Sequence, residues 1–462
     1  MDQLLLQPDF SFLRRLKKEA KVLAILGWPI VVTQLLQVAT YALDTIISGR
    51  ASARDLAGVS VGTGLWIPVF LFSLGLLMAL TPVVAQAKGA RQDHQIASAV
   101  YQAFWIAIAS GGLILLFFLN VDPLLNWINV DNEIRPVASG YLYAISFGMP
   151  AIVGFNLLRA YAEGLSITRP AMVASIAGLV VNAPLNYILI YGYFGFPALG
   201  GIGCGWASTI ALWVSFLTMI GYVISNKAFY GISLFRNFYA PDWLKIRELL
   251  KLGIPIGCSF LVESSLFAVV ALLLSGYNSI VVASHQITLN VVSIVFTVPF
   301  SLGIALTIRV GFLLGSKQVV EARFTSYLGV GLAIIYGIVI GIILWFFAAN
   351  IVSLYSRDTI VQSSAANLLA IAAIFQLVDA FQVTCIGALR GYKDTTLPLF
   401  VTVIGLWMLA LPLGYCLAMT DRFGPPWYAK GFWVAMVAGI FVVATCLSRR
   451  LHILSGARII MQ

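Results

Sequence analysis

Residues Leu252–Ser275 read LGIPIGCSFLVESSLFAVVALLLS. At about 1.5 Å per residue this apolar run is long enough to cross a hydrocarbon layer about 30 Å thick. Between Lys251 and Arg309 the one formally charged side chain is Glu263, near the middle of the run. A carboxylate at the centre of a membrane helix costs roughly 2.5–3.5 kcal/mol on insertion scales, so it is expected to face a cavity or a partner. A protonated structural carboxyl, hydrogen-bonded to a neighbouring helix, is the competing reading.

The rest of the chain has the same character. Its 462 residues are 60% hydrophobic and 10% charged, against about 25% charged in soluble domains, which marks a polytopic membrane protein. The net charge of +10 could signal nucleic-acid binding, but that requires a basic face or stripe. Here the positive residues lie between apolar spans. The five cysteines, Cys204, Cys258, Cys385, Cys416 and Cys446, all fall inside apolar segments with no CxxC. They are expected as small packing residues.

Twelve spans are predicted, at roughly 24–47, 56–85, 95–119, 137–160, 170–192 and 203–225, then 252–275, 281–313, 322–349, 362–388, 397–419 and 430–448. The domains expected are an amphipathic N-terminal segment (1–22), a six-helix bundle (23–225), a linker (226–251), a second six-helix bundle (252–450) and a tail (451–462). Phe10–Ile25 mixes basic and apolar residues at helical spacing and lacks a small-residue cleavage site. It is expected to lie on the cytoplasmic membrane surface. With the N-terminus inside, the outer loops receive Arg50, Arg54, Arg135, Arg357, Arg422 and Lys430, and the other 22 of the 28 basic residues lie inside. Arg309 is counted among those inner loop charges. Both termini are therefore expected in the cytoplasm.

The two halves repeat. Gly27-Trp28-Pro29-Ile30 aligns with Gly253-Ile254-Pro255-Ile256, Ser73-Leu74-Gly75 with Ser301-Leu302-Gly303, Pro184 with Pro412, and Gly203 with Gly431. The offset is 226–228 throughout. Six spans per repeat give both halves one orientation, so the expected fold is all-α, two six-helix bundles related by a pseudo-two-fold along the membrane normal. That is a transporter design, with its site near mid-membrane.

Two further spans carry one lone acid each, Asp44 in the outer part of the first and Asp379 in the tenth. Counted from opposite membrane faces, Glu263 and Asp379 reach similar depths, which suggests a shared site. Two carboxyls together in a low dielectric cannot both ionise without a cation, and a proton or Na⁺ would relieve them. Asp44 is open to the plainer reading of a hydrated interfacial acid. Asn182 and Asn186, four apart in the fifth span, share a face, with Pro184 between them. Gln34, Gln37, Gln286 and Asn290 are polar positions that either line a cavity or join helices. Pro68 and Pro299 predict kinks.

Several stretches together resemble the NorM-like branch of the MATE multidrug and toxic-compound extrusion family. They are LDTIISG (Leu43–Gly49), LFSLGLLMALTPVVAQAKGA (Leu71–Ala90), RAYAEGLSITRPAM (Arg159–Met172), NAPLNYILIYG (Asn182–Gly192), LGGIGCG (Leu199–Gly205), VESSLFAVVALL in the seventh span and GALRGYKDTTLP (Gly387–Pro398). The resemblance implies two six-helix bundles arranged as a V. It also implies a secondary antiporter in a bacterial inner membrane, exporting organic cations and amphiphilic drugs against inward Na⁺ or H⁺. Glu263 and Asp379 match the family's cation-site acids, with Na⁺ one candidate ion there, and Asp44 with Asn182 and Asn186 matches its polar N-terminal site. Phe296 stands where some relatives have a helix-8 tyrosine near the cation. No cofactor is expected beyond the coupling ion, and a monomer is expected.

Other classes fit less well. A lipid-linked oligosaccharide flippase is the alternative, but it calls for a more basic cavity. A channel needs a continuous polar pore. An enzyme lacks its motifs, since His94, His285 and His452 form no HExxH and no GxSxG elbow or Walker loop occurs.

Overall fold

The computed structural model describes residues 12–232, 238–422 and 424–460. The start of the expected N-terminal segment, Arg236 in the linker and the last two residues of the tail lie outside the described residues.

The structure is helical, with eleven helices long and apolar enough to span a membrane among the described residues, or twelve if one bent pair counts as a span. In chain order they are α1 (Phe12–Ala51), α2 (Ala53–Gly89), α3 (Asp93–Leu119), α4 (Arg135–Ser146 and Met149–Gly164), α5 (Arg169–Tyr191) and α6 (Gly201–Ser225). The second half holds α7 (Trp243–Leu274), α8 (Ser279–Gly315), α9 (Val319–Phe346), α10 (Thr359–Gly391), α11 (Thr396–Met419) and α12 (Ala429–Ile459). Eleven of the twelve expected spans each fall on one such helix, and the fourth falls on the bent pair.

Three helices outrun their expected ends. α1 begins at Phe12, α7 at Trp243 and α12 runs well past 448. Hydropathy ends a span at its first charges, but Lys, Arg, Glu and Leu are strong helix formers, so the helix continues. From Phe12 on, the amphipathic stretch expected on the membrane surface is continuous with α1.

Pro68 and Pro299 lie inside continuous helix. The bend of 46° falls in α4, between Ser146 and Met149, where Gly148 and Pro150 follow each other closely. α11 widens into a π-helix over Ile404–Ala410. Pro412 begins the turn that follows, and having no N–H to give back it relaxes the bonding pattern there.

Side-chain packing repeats at the offset seen in the sequence. α2, α4, α8 and α10 each end in a left-handed residue that is not glycine: Arg91 (φ 59°), Ser166 (φ 65°), Lys317 (φ 59°) and Lys393 (φ 62°). This conformation costs about 1–2 kcal/mol for a residue with a Cβ. It closes the last turn with matching bonds, Gln92 N–H to the Ala87 carbonyl (2.9 Å) and Gln318 N–H to the Leu313 carbonyl (2.8 Å). Close approaches recur too. A Cβ on Gly164 would lie 2.6 Å from Val84, and one on Gly391 2.9 Å from Val310.

By internal contacts the chain divides into two compact units. The first unit comprises Met1–Pro29, Val269–Tyr392 and Ile404–Gln462; the second comprises Ile30–Ala268 and Lys393–Val403. In the first unit α8 and α10 approach at Gly303 and Gly387, where Thr307 Oγ1 donates to the Gly387 carbonyl (2.7 Å). In the second, α2 and α7 meet at Gly75 and Gly257. A Cβ on Gly75 would lie 2.5 Å from the Gly257 Cα.

Candidate functional site

Three helices of the second unit, α1, α5 and α6, converge on Asp44. Two of them approach closely because they present glycine. A Cβ at Gly203 on α6 would stand 2.6 Å from the Leu189 carbonyl oxygen of α5, so neither helix can back away without opening a void. Asn182 and Asn186 project from one face of α5, one turn apart, and Ser208 projects from α6.

These side chains close a ring. Asn186 Nδ2 donates to Asp44 Oδ1 (2.6 Å) and also to Asn182 Oδ1 (3.0 Å). Asn182 Nδ2 donates to Ser208 Oγ (3.3 Å), and Ser208 Oγ donates back to Asp44 Oδ2 (2.8 Å). Below it Ser48 Oγ donates to the Asp44 main-chain carbonyl (2.7 Å). Asp44 is 4% exposed, and both asparagines are fully buried. The plainer reading of Asp44 as a hydrated interfacial acid therefore fails.

The direction of these bonds defines the chemistry. Both carboxylate oxygens accept, the arrangement of an ionised acid held by two donors. Asn186 Oδ1 is buried with no hydrogen-bond partner. The buried cluster thus keeps one unused acceptor.

A cavity of about 80 Å³ opens on Asp44 and Ser208, walled by Gln37, Thr40, Tyr41 and Trp66. Its lining has no Lys, Arg or His. Pockets for drug-sized ligands run to about 300–1,000 Å³, so in this conformation the cavity admits water and an ion. Trp66 is itself fixed, its Nε1 donating to the Tyr141 hydroxyl (3.2 Å), and the Tyr41 ring lies 5.9 Å from it.

The other sequence-predicted residues are distributed across both units. Gln37 lines the Asp44 cavity, whereas Gln34, one turn earlier, has a buried side-chain oxygen with no partner. Glu263 lies half-buried on α7 in the second unit, and Asp379 lies buried on α10 in the first. Asp379 follows Phe375 by one turn, and the Phe375 ring packs edge-on against Trp433 at 5.5 Å. Trp433 Nε1 donates to His285 Nδ1 (3.2 Å), which places the ring proton of a neutral His285 on Nε2. That nitrogen is buried without a partner.

Three polar or aromatic candidates of α8 do not line the Asp44 cavity. Gln286 and Asn290 are exposed, and Asn290 Nδ2 donates to the main-chain carbonyl of Gln286 (2.9 Å). Phe296 stacks on Phe300 at 5.6 Å. Among the described residues no group of three or more His, Cys, Asp or Glu is placed to hold a metal ion, and the five cysteines are free thiols.

Sequence reasoning missed Ser208 and Ser48. Ser208 was discoverable in outline: Cys204, Ser208 and Ala211 form a small-residue stripe on α6, the kind that allows close helix packing. Hydroxyls are too common in such stripes for one to be singled out without knowing which helix it faces.

Comparison with known proteins follows the same half-and-half layout. The MatE family model matches residues 29–188 and again 255–416. The multidrug resistance protein MdtK of Yersinia pseudotuberculosis serotype O:1b (strain IP 31758) is 43% identical over 435 residues, covering 94% of this chain and 95% of its own. MdtK of Yersinia enterocolitica serotype O:8 / biotype 1B is equally similar, at 43% over the same shares. Among solved structures, the outward-facing conformation of a multidrug resistance MATE family transporter of the MOP superfamily superimposes with a TM-score of 0.86, at 17% identity over 97% of this chain and 99% of that one. The Vibrio cholerae MATE transporter VcmN in its bent form gives 0.85, at 16% identity over 96% and 99%. These two likenesses bear on the fold.

Proposed function

Because this chain belongs to the MatE family of transporters, we propose that it is a secondary active antiporter. In this reading it exports organic cations and amphiphilic drugs in exchange for inward Na⁺ or H⁺. The observation that carries the reading is the buried Asp44 ring, an acid inside a membrane span whose two carboxylate oxygens each accept from a buried neighbour.

In this mechanism the ion and the drug compete through charge. When Asp44 is ionised, its cavity favours a cation. When it takes a proton or a metal cation from outside, the attraction for a cationic drug is lost and the drug leaves. Coupling requires the two ligands to prefer different conformations, since a ligand with equal preference shifts nothing. Glu263 and Asp379 are assigned as further coupling acids, each on the strength of a lone acid within a span. Gln37 is assigned to drug or water contact at the Asp44 cavity. Phe296 supplies no hydroxyl, so a coupling ion here makes do without that ligand. The Asp44 cavity, lined by one acid and several hydroxyls and by no Lys, Arg or His, weighs against the flippase alternative, which calls for basic residues.

The distribution of basic residues supports an orientation with both termini in the cytoplasm, and the Gram-negative relatives support the bacterial inner membrane. The test is efflux of ethidium from proteoliposomes holding the purified chain, with a Na⁺ gradient and a pH gradient imposed separately. Efflux under one gradient and its loss in Asp44→Asn supports the reading. No efflux under either gradient refutes it.

A further inference from the structure

The first turns of α1 do not end in solvent but dock within the first unit on α8 and α9. Glu19 is 3% exposed, and so is its partner Arg309, although the two are 290 positions apart. Arg309 Nε donates to Glu19 Oε2 (2.8 Å) and Nη2 to Glu19 Oε1 (2.5 Å), a bidentate pair. Thr325 Oγ1 of α9 adds a third donor to Glu19 (3.0 Å). One turn earlier on α1, Arg15 Nε donates to Glu321 (2.8 Å) and its guanidinium lies 4.3 Å from the Phe324 ring centre. Two turns further along α1, a Cβ on Gly27 would just touch Ala305.

The internal repeat supplies a built-in comparison. At the shared offset Glu19 corresponds to Lys245, Thr325 to Ser98 and Arg309 to Val83. In the second unit the equivalent crossing is indeed present, with Lys245 Nζ donating to Ser98 Oγ (3.0 Å). Valine stands where the arginine would be. Lys245 is 53% exposed and pairs with Asp242 at 3.5 Å. One crossing is therefore held by a dry, bidentate ion pair and its twin by a solvated contact of the kind that adds little stability.

We propose that the Glu19–Arg309 pair is a latch that closes the cytoplasmic end of α1 against α8 and α9 and opens once in each transport cycle, while the Lys245–Ser98 crossing has no such latch. This rests on the antiporter reading and its orientation. A buried pair suits the task because it has two well-separated states. Closed, each charge is compensated; open, each must be hydrated, and a half-open geometry with one charge buried alone is strongly disfavoured. The Arg309 Nη1 atom, buried without a partner, leaves the closed state short of full satisfaction. Pro29, inside α1 between Glu19 and Asp44, removes one main-chain bond where the helix must flex.

The test uses a cysteine-free background carrying Ala305→Cys, labelled in inside-out vesicles with a membrane-impermeant maleimide. Glu19→Gln is expected to raise the labelling rate about tenfold, because the open crossing becomes more populated. Lys245→Met should leave the rate within about twofold of the parent. The charge swap Glu19→Arg with Arg309→Glu should return it towards the parent rate, and it decides the matter if Glu19→Gln does not fold. Equal labelling of Glu19→Gln and the parent, or a swap that labels as fast as Glu19→Gln, overturns the latch. Drug efflux by the wild type, measured in parallel, tells this failure from failure of the transport reading.

Discussion

Replacing Asp44 by asparagine separates the charge of the site from its shape. The carboxylate accepts from Asn186 (2.6 Å) and Ser208 (2.8 Å). In Asp44→Asn the amide oxygen keeps one of these bonds. The amide nitrogen turns towards Ser208, whose hydroxyl reverses from donor to acceptor and loses the acceptor of its own proton, at about 1–3 kcal/mol. Two charge-assisted bonds, at about 1.5–3 kcal/mol each, thus become neutral ones at about 1 kcal/mol. The desolvation cost of a buried charge disappears at the same time. The opposing terms leave folding stability changed by no more than about 1–2 kcal/mol. Asp44→Leu behaves differently, for it leaves one Asn186 N–H and the Ser208 O–H buried without acceptors. At about 1–3 kcal/mol per group, that costs about 2–6 kcal/mol. The assay pairs the thermal midpoint in detergent with gradient-driven ethidium efflux from proteoliposomes. Asp44→Asn should melt near the wild type and carry no coupled efflux, whereas Asp44→Leu should melt several degrees lower. Wild-type efflux by Asp44→Asn would refute the coupling role, and equal melting of the two variants would refute the bonding analysis.

Further outcomes follow from the same geometry. Ser208→Ala strands Asp44 Oδ2 and Asn182 Nδ2 together, so it should lower stability by about 2–6 kcal/mol and weaken ion dependence; an unchanged ion titration of efflux would count against the ring. Glu263→Gln and Asp379→Asn should each insert at wild-type levels yet lose drug resistance in cells, and normal resistance in both would remove them from the mechanism. Gly75→Val drives a side chain into the Gly257 main chain, overpacking that costs about 1–3 kcal/mol; Gly112→Val, with open space around its Cβ position, serves as the control and should leave the detergent melting midpoint unaltered.

Much of this protein was readable before its tertiary structure. Span count, helix order and the internal repeat follow from hydropathy and from the recurrence of glycine and proline at one offset. Both are properties of residues near one another in the chain. Asn182 and Asn186 could be placed on one face because four residues make nearly one helical turn, and Asp44 stood out because a lone acid within a span is costly. The helix ends were less legible, since hydropathy registers where lipid contact stops and α1, α7 and α12 continue beyond it.

What the chain alone determined, then, is which residues form membrane helices and which few of them carry charge or amide groups. Which helix faces which was decided only by packing. Ser208 reaches Asp44 because glycine lets α5 and α6 approach closely. Arg309, which reads as one more basic residue near a span end, is buried against Glu19 instead. Periodicity reports the direction a side chain takes from its own helix axis. It carries no information on what stands opposite, and a pair 290 residues apart becomes a contact only when the helices between them have found their places.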